Sequence, residues 1–344
     1  MGWALVAQGC ETRKAPPMPP AAAVPDPNRR LLLLDTPSLY FRAFYGVPDT
    51  VTAPDGTPVN AIRGLLDFVS FLVERYRPDR LVSCMDADWR PAFRVDLIPS
   101  YKAHRVAPAG GETVPDALTP QVAVIEQVLD AIGICQLGVA GFEADDVIAT
   151  LAVREAGAVD IVTGDRDLFQ LVDDSKPIRI VYTARGVGKA DVIDESAVSA
   201  RYGIPGRAYA DFAALRGDPS DGLPGVPGIG DKTAAALVSR FGSLGQLVAA
   251  LHADTEAGFP AGARTKLKNS LDYLEAARVV VATRTDVPVG SLDDDLPSRI
   301  RDEAGLLALI TRYGIASPVQ RLATALKLTV GQPLHKAVGQ PTDE

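Results

Sequence analysis

Residues 142–151 read FEADDVIATL, and Glu143, Asp145 and Asp146 crowd three carboxylates into four positions. Val147, Ile148 and Leu151 follow at the spacing of one apolar helix face. Like charges at that density repel, and burying them adds desolvation. A bound cation would relieve both effects. Taken alone, the stretch is equally an ordinary helix start, where acidic side chains meet the positive end of the dipole. An ideal helix makes Glu143 and Asp146 neighbours and sends Asp145 to another flank, so a regular first turn cannot aim all three at one ion.

More carboxylates sit at places that suit a metal site. The apolar runs LLLLD, RLVSCMD and VDIVTGD end on Asp35, Asp86 and Asp165, with Asp167 two residues on. RGDPSDG adds Asp218 and Asp221, although it also reads as a plain Asx turn. An all-oxygen set of this kind selects Mg²⁺ or Mn²⁺. Two such ions roughly 4 Å apart can activate a water and hold the leaving oxygen of a phosphodiester. Ligand-bound waters would let some of the acids act indirectly.

Two other stretches suit phosphate. FRVDLIPSYKAHR (93–105) interleaves Arg94, Lys102, His104 and Arg105 with Tyr101, a pattern that serves single-stranded nucleic acid as well as a solvated surface. GVPGIGDKT (225–233) fails as a P-loop, because Asp231 separates Gly230 from Lys232. It fits a helical hairpin: Gly225, Gly228 and Gly230 allow close backbone approach, and the next helix start offers N–H groups with Lys232 and Thr233.

These groups need a scaffold. Buried-strand runs at 31–35, 80–86, 159–165 and 178–182 alternate with helical patterns at 60–76, at 119–133 and from Glu143 to near Gly157. The alternation predicts an α/β fold with a mostly parallel sheet covered on both faces. Ligands of such sheets bind at the carboxyl edge, where the three strand-end aspartates would gather. From about 203 the pattern turns helical. The expected organisation is an unstructured extension at 1–28, an α/β core at 29–202 with a distinct segment at 100–118, a helical lobe at 203–290, a helical segment at 291–328 packing on the core, and a loose tail at 329–344.

Charge and composition constrain the function classes. The balance of 35 basic and 43 acidic residues gives −8, which disfavours nucleic acid unless the acids cluster at metal while basic groups line another surface. Cys10, Cys84 and Cys135 form no CxxC pair, and a reduced cytoplasmic compartment is expected. Three scattered histidines make a zinc site or a Ser-His-Asp triad a poor fit. No apolar run reaches the roughly 18 residues of a membrane span. MGWALVAQGC lacks the basic start and the core length of a signal peptide, and Met18 is an alternative start.

In order, LLLLDTPSLYFRAF, VSCMDADWRPAFR, IPSYKAHR, GFEADDVIATLA, VTGDRDLFQLV, GDPSDGLPGVPGIGDKTA and ARVVVATRTDVPV resemble the 5′-nuclease domain of bacterial DNA polymerase I and the related flap endonucleases, over about 29–325. The resemblance implies a PIN-like core, a helical arch over 100–118 and a helix-two-turn-helix lobe. It implies Mg²⁺- or Mn²⁺-dependent 5′–3′ exonuclease and flap-endonuclease action on DNA flaps, nicks or ends, RNA-primed ends included, in replication and repair. Asp35, Asp86, Glu143, Asp145, Asp146, Asp165, Asp167, Asp218 and Asp221 would be the metal-binding acids. Arg94, Lys102 and Arg105 would steer the scissile phosphate, Tyr101 would stack on a base, and the GVPGIGDKT turn would hold duplex backbone, with K⁺ a further candidate ligand there. A monomeric, free-standing nuclease cooperating with a polymerase and a ligase is expected. Thr36-Pro37 and Gly222 depart from the family pattern beside the site. A junction binder without catalysis, or a PIN-type ribonuclease, are the alternatives.

Overall fold

The computed structural model describes residues 28–108, 110–253 and 258–329. The extension and tail expected to be unstructured, with Cys10, lie outside the described residues apart from their inner edges. Six strands form one sheet: β1 (Arg30–Asp35), β2 (Arg80–Cys84), β3 (Cys135–Leu137), β4 (Ala158–Thr163), β5 (Ile178–Tyr182) and β6 (Asp191–Ile193), in the order β3-β2-β1-β4-β5-β6. All neighbours run parallel except the β5–β6 pair. β3 and β6 were missed in the sequence because three residues are too few to show a period.

Strand alternation splits the core in two. Leu31 and Leu33 face one side with Val82, Ile161 and Ile180, whereas Leu32 and Leu34 face the other with Leu81, Val162 and Val181. On the second side lie α1 (Thr36–Gly46), α2 (Asn60–Tyr76) and α4 (Thr119–Ile132); α3 (Ala92–Val95), a single turn between α2 and α4 in chain order, lies with the first side. The first side carries α5 (Ala144–Arg154) and continues into the helices beyond 203. After α6 (Glu195–Tyr202) these are α7 (Tyr209–Arg216), α8 (Asp231–Phe241), α9 (Leu244–His252), α10 (Ala263–Lys268) and α11 (Leu271–Val280). The apolar core therefore does not break where the helical pattern begins: Phe169 of the sheet side stacks edge-on against Tyr209, whose ring meets Phe212. α12 (Glu303–Tyr313) and α13 (Ala316–Ala325) return to the opposite face and pack on α4 and α2. Among the described residues no single helix is long and apolar enough to cross a membrane.

Two expectations change. Asp86 and Asp165 lie two residues past β2 and β4, in loops, whereas Asp35 closes β1 itself. The segment 100–118 holds no α-helix among its described residues. It is a 3₁₀ turn at Ala103–Arg105 followed by a narrow bridge between Val106 and Glu112. Pro108, Pro115 and the positive φ of Gly110 and Gly111 interrupt any helical run there.

Candidate metal centre and nucleic-acid interface

The carboxyl edge of the sheet opens into a cavity of about 440 Å³ lined by Asp35, Asp86, Glu143, Asp145 and Asp165, with Lys102 and Arg105 on its wall. A much smaller cavity adjoins it through Glu143 and Asp145, and Asp167 and Asp221 line that one. Each acid arrives by a separate local device. Asp35 caps α1, accepting from the Ser38 N–H at 3.2 Å and from the Thr163 hydroxyl at 2.6 Å. Asp86 accepts from the Ala144 N–H at 2.7 Å, which fixes the start of α5 against the β2 loop. Asp165 accepts from the Asp167 N–H at 2.9 Å, folding that loop into a 3₁₀ turn.

The opening cluster divides as helix geometry predicts. Asp145 turns into the cavity, while Asp146 turns away and is fully buried. Arg94 grips both Asp146 oxygens, at 2.8 and 2.7 Å, and also pairs with Glu143. Its Nε donates to the Val280 carbonyl at 2.9 Å, and the Arg284 N–H adds a third bond to Asp146. Asp146 thus faces a buried cation and not the cavity, where a metal ligand was expected. Arg94, expected to steer a phosphate, is 3% exposed and joins α3, α5 and the end of α11. Tyr101, expected to stack on a base, has a buried ring, and its hydroxyl donates to Glu143 at 2.9 Å. The sequence misled here because a buried guanidinium and an exposed one look alike in a basic stretch.

Lys102 and Arg105 do stand at the cavity. Lys102 pairs with Glu143, and Arg105 with Asp221 at 3.0 Å. Backbone bonds place them. The Lys102 N–H donates to the Asp221 carbonyl at 2.9 Å and the Ser100 hydroxyl to the Gly222 carbonyl at 2.9 Å, so the 218–222 turn is buttoned to the 100–105 segment. Gly222 has φ +71, and a Cβ there would stand 2.2 Å from the Ser100 carbonyl oxygen. That contact is why glycine occupies the position. Asp218 is buried behind the cavity, where it accepts from the Ser220 N–H at 2.9 Å.

The electrostatics mark the cavity as unfinished without cations. Burial, then the charges of Asp86 and Asp165, raise the Asp35 carboxyl to about 7. Burial followed by Asp35 and Asp165 holds Asp145 well above its usual range, and burial followed by Asp165 and Asp221 does the same to Asp167. Asp165 is pushed up by burial and then by Asp221, against the Asp167 N–H and the Lys102 charge, which lower it. One Asp167 oxygen is buried without a hydrogen-bond partner. Among the described residues no three His, Cys, Asp or Glu side chains are already gathered around one point. Hard oxygen donors spread over a cavity of this size nonetheless fit hydrated divalent cations, which keep several waters.

Two side chains at the cavity were not anticipated. Glu112 lines its wall, raised by burial and then by Asp86. Thr163 holds Asp35 in place; its position just before Gly164-Asp165 was the only signal.

In the hairpin, Gly225 is buried, and a Cβ there would meet the Arg216 carbonyl oxygen at 2.5 Å, so its role is packing. Gly228 and Gly230 are exposed; the Gly228 carbonyl accepts from the Lys266 ammonium at 3.0 Å, and Gly230 caps α8 with open space around its Cα. Lys232 is exposed and Thr233 half-buried on the first turn of α8.

A carboxylate-lined cavity at the carboxyl edge of a parallel sheet, walled by Lys102 and Arg105 and followed by a glycine hairpin, defines a metal-using phosphodiesterase class. Residues 30–203 match the 5′-3′ exonuclease N-terminal resolvase-like domain, and residues 204–304 match the 5′-3′ exonuclease C-terminal SAM fold. The chain belongs to the 5′-3′ exonuclease family. It is 58% identical over 300 residues to a 5′-3′ exonuclease of Streptomyces coelicolor, covering 86% of this chain and 99% of that one. It is 51% identical over 315 residues to a 5′-3′ exonuclease of Mycobacterium tuberculosis, covering 88% and 99%. Its fold resembles the phage T5 D15 protein crystallised with metal ions, at TM-score 0.58 and 16% identity over 90% of this chain and 100% of that one. The catalytic core of Rad2 in complex with DNA is similar at TM-score 0.53 and 17% identity, over 87% and 92%.

Proposed function

We propose that this protein hydrolyses DNA phosphodiesters at 5′ ends and at junctions of 5′ single-stranded flaps with duplex. The observation that carries the reading is the cavity in which Asp35, Asp86, Glu143, Asp145 and Asp165 face Lys102 and Arg105. Opposed rows of fixed acids and mobile cations are what a phosphodiester needs: metal on one side, phosphate binding on the other.

Asp35, Asp86, Asp145 and Asp165 would hold Mg²⁺ or Mn²⁺, with Asp167, Asp218 and Asp221 behind them acting directly or through water. A bound divalent cation supplies a water of lowered pKa and charge neutralisation at the leaving oxygen. The chain's own groups do the rest. Burial opposes the Lys102 charge, yet the facing Tyr101 hydroxyl and Glu143 carboxylate outweigh it and hold the ammonium well above its usual value. Lys102 therefore stays a cation at any working pH and can bind a phosphate oxygen without a proton transfer. Arg105, one-third exposed, can rotate from Asp221 to a second phosphate oxygen with a bidentate fork. Thr163 and the Ser38 N–H keep Asp35 aimed. The exposed Gly228–Gly230 backbone and Lys232 would grip duplex phosphates, with K⁺ the candidate ion there. Cooperation with a polymerase and a ligase, and action as a monomer, follow from this reading.

The test is a 5′-labelled double-flap DNA incubated with Mg²⁺, with Mn²⁺, with EDTA, and with Asp165→Ala protein. Metal-dependent cutting near the junction, absent in EDTA and reduced at least a thousandfold in the variant, is the expected result. Tight binding with no cutting in any metal would refute it.

A further inference from the structure

A second, larger groove of about 920 Å³ lies between α1 and the loop that joins β5 to β6. Ser38 and Phe41 line both this groove and the acid cavity, so the two adjoin along α1. The lining is unusual for a chain of net charge −8: no Asp or Glu is in it, while Arg42, Arg185 and Lys189 are. Three aromatic rings share it, those of Phe41, Phe68 and Tyr45, and Tyr45 is 73% exposed. Burial cannot explain a tyrosine left that open.

From this adjacency and this lining we infer that the groove is a subsite for a single-stranded nucleic-acid segment leaving the acid cavity. The inference rests on the function proposed above and adds the path of the unpaired strand. Stacking on exposed rings together with phosphate contacts from Arg and Lys is how sequence-independent single strands are held. Arg42 ties the loop to α1, donating to the Ala184 carbonyl at 3.3 Å, and its Nε is buried without a partner. Arg185 is 68% exposed and pairs with Asp191 at the surface, so its guanidinium can exchange that partner for a phosphate. Gly186 and Gly188 leave open space where side chains would stand, so a sugar–phosphate backbone can approach the loop closely. The unpaired segment, being flexible, can bend around Ser38 and Phe41 in a way a duplex cannot.

The experiment compares two DNAs by fluorescence anisotropy, using the full chain carrying Asp165→Ala so that neither is consumed. One is a hairpin duplex with a ten-thymidine 5′ flap, the other the same blunt hairpin without it. Added variants are Tyr45→Ala and the double change Arg185→Ala/Lys189→Ala; all are surface positions, and circular dichroism checks the fold. Each is expected to weaken flap-DNA binding about tenfold, the scale of one stacked base or two phosphate contacts. The double change should also lower the salt dependence by about one to two counterions. The blunt hairpin should bind as before. Unchanged flap binding, or equal weakening on both DNAs, would overturn the subsite. If the unaltered protein cuts no flap yet shows the differential binding, the function reading falls and the subsite stands. If it cuts flaps and the variants bind both DNAs normally, the reverse holds.

Discussion

Replacing Arg94 separates a strut from a phosphate guide. In Arg94→Ala, the fully buried Asp146 loses both charge-assisted bonds, Glu143 loses one of two cationic partners, and the Val280 carbonyl loses its donor. Breaking a buried ion pair on one side costs about 3–5 kcal/mol, because the surviving charge remains in a poor solvent. The remaining bonds to Asp146, from the Arg284 and Glu143 backbone N–H groups, do not replace a cation. Protonation limits the loss: burial, ahead of any charge, already pushes Glu143 upward, so it can neutralise when Arg94 is gone. A loss near 3 kcal/mol is therefore expected at pH 8 and less at pH 5. For a chain of 344 residues that corresponds to a melting-point drop of roughly 4–5 °C. Arg94→Lys should recover only part, since one ammonium cannot span two oxygens and a carbonyl. The assay is paired: thermal melting in Mg²⁺, and flap cleavage below the variant's melting range. If Arg94→Ala melts within about 1 °C of the unaltered protein while cleavage collapses, Arg94 contacts substrate and the reasoning above is wrong.

Other outcomes follow from the same geometry. Burial, ahead of the neighbouring charges, raises the Asp35 carboxyl from its ordinary 3.8 to about 7. Its folded pKa is raised, so its contribution is complete below pH 4 and is lost as pH climbs through 7; melting in EDTA should fall over that window, and the fall should vanish with Mg²⁺ present. A flat profile in EDTA would contradict the cavity's electrostatics. Asp165→Asn removes a charge that pushes on Asp35, Asp145 and Asp167, so it should raise the EDTA melting point while abolishing flap cleavage; a lower melting point would refute the repulsion argument. Gly222→Asn should cost about 1–3 kcal/mol from the positive φ, and should weaken flap binding by displacing the Ser100–Lys102 segment, as measured by denaturation and by KM. Lys232→Glu is expected to weaken blunt-duplex binding and reduce its salt dependence by about one counterion while leaving melting unchanged, read by anisotropy across a salt series.

The sequence by itself determined a great deal. Four apolar runs and three helical periods were long enough to state their type, and from them the covered parallel sheet and its acid-bearing edge followed. Helix periodicity also separated Asp145 from the Glu143–Asp146 pair, because the angle between successive residues is fixed by the backbone alone. What stayed hidden has a common cause. β3 and β6 are too short to carry a period, and Asp86 and Asp165 were counted into strands because their runs do not show where pairing stops. The buried partners of Arg94, Asp146 and Tyr101 were not legible because a side chain's partner depends on which distant segment lands beside it. Here that segment is the end of α11, more than 180 residues beyond Arg94. Gly222 looked like a mere departure from a pattern until the Ser100 carbonyl was found where a Cβ would stand. Local geometry is written in neighbouring residues and can be read from them; burial and ion pairing are properties of contacts between remote ones, and only the tertiary structure decides them.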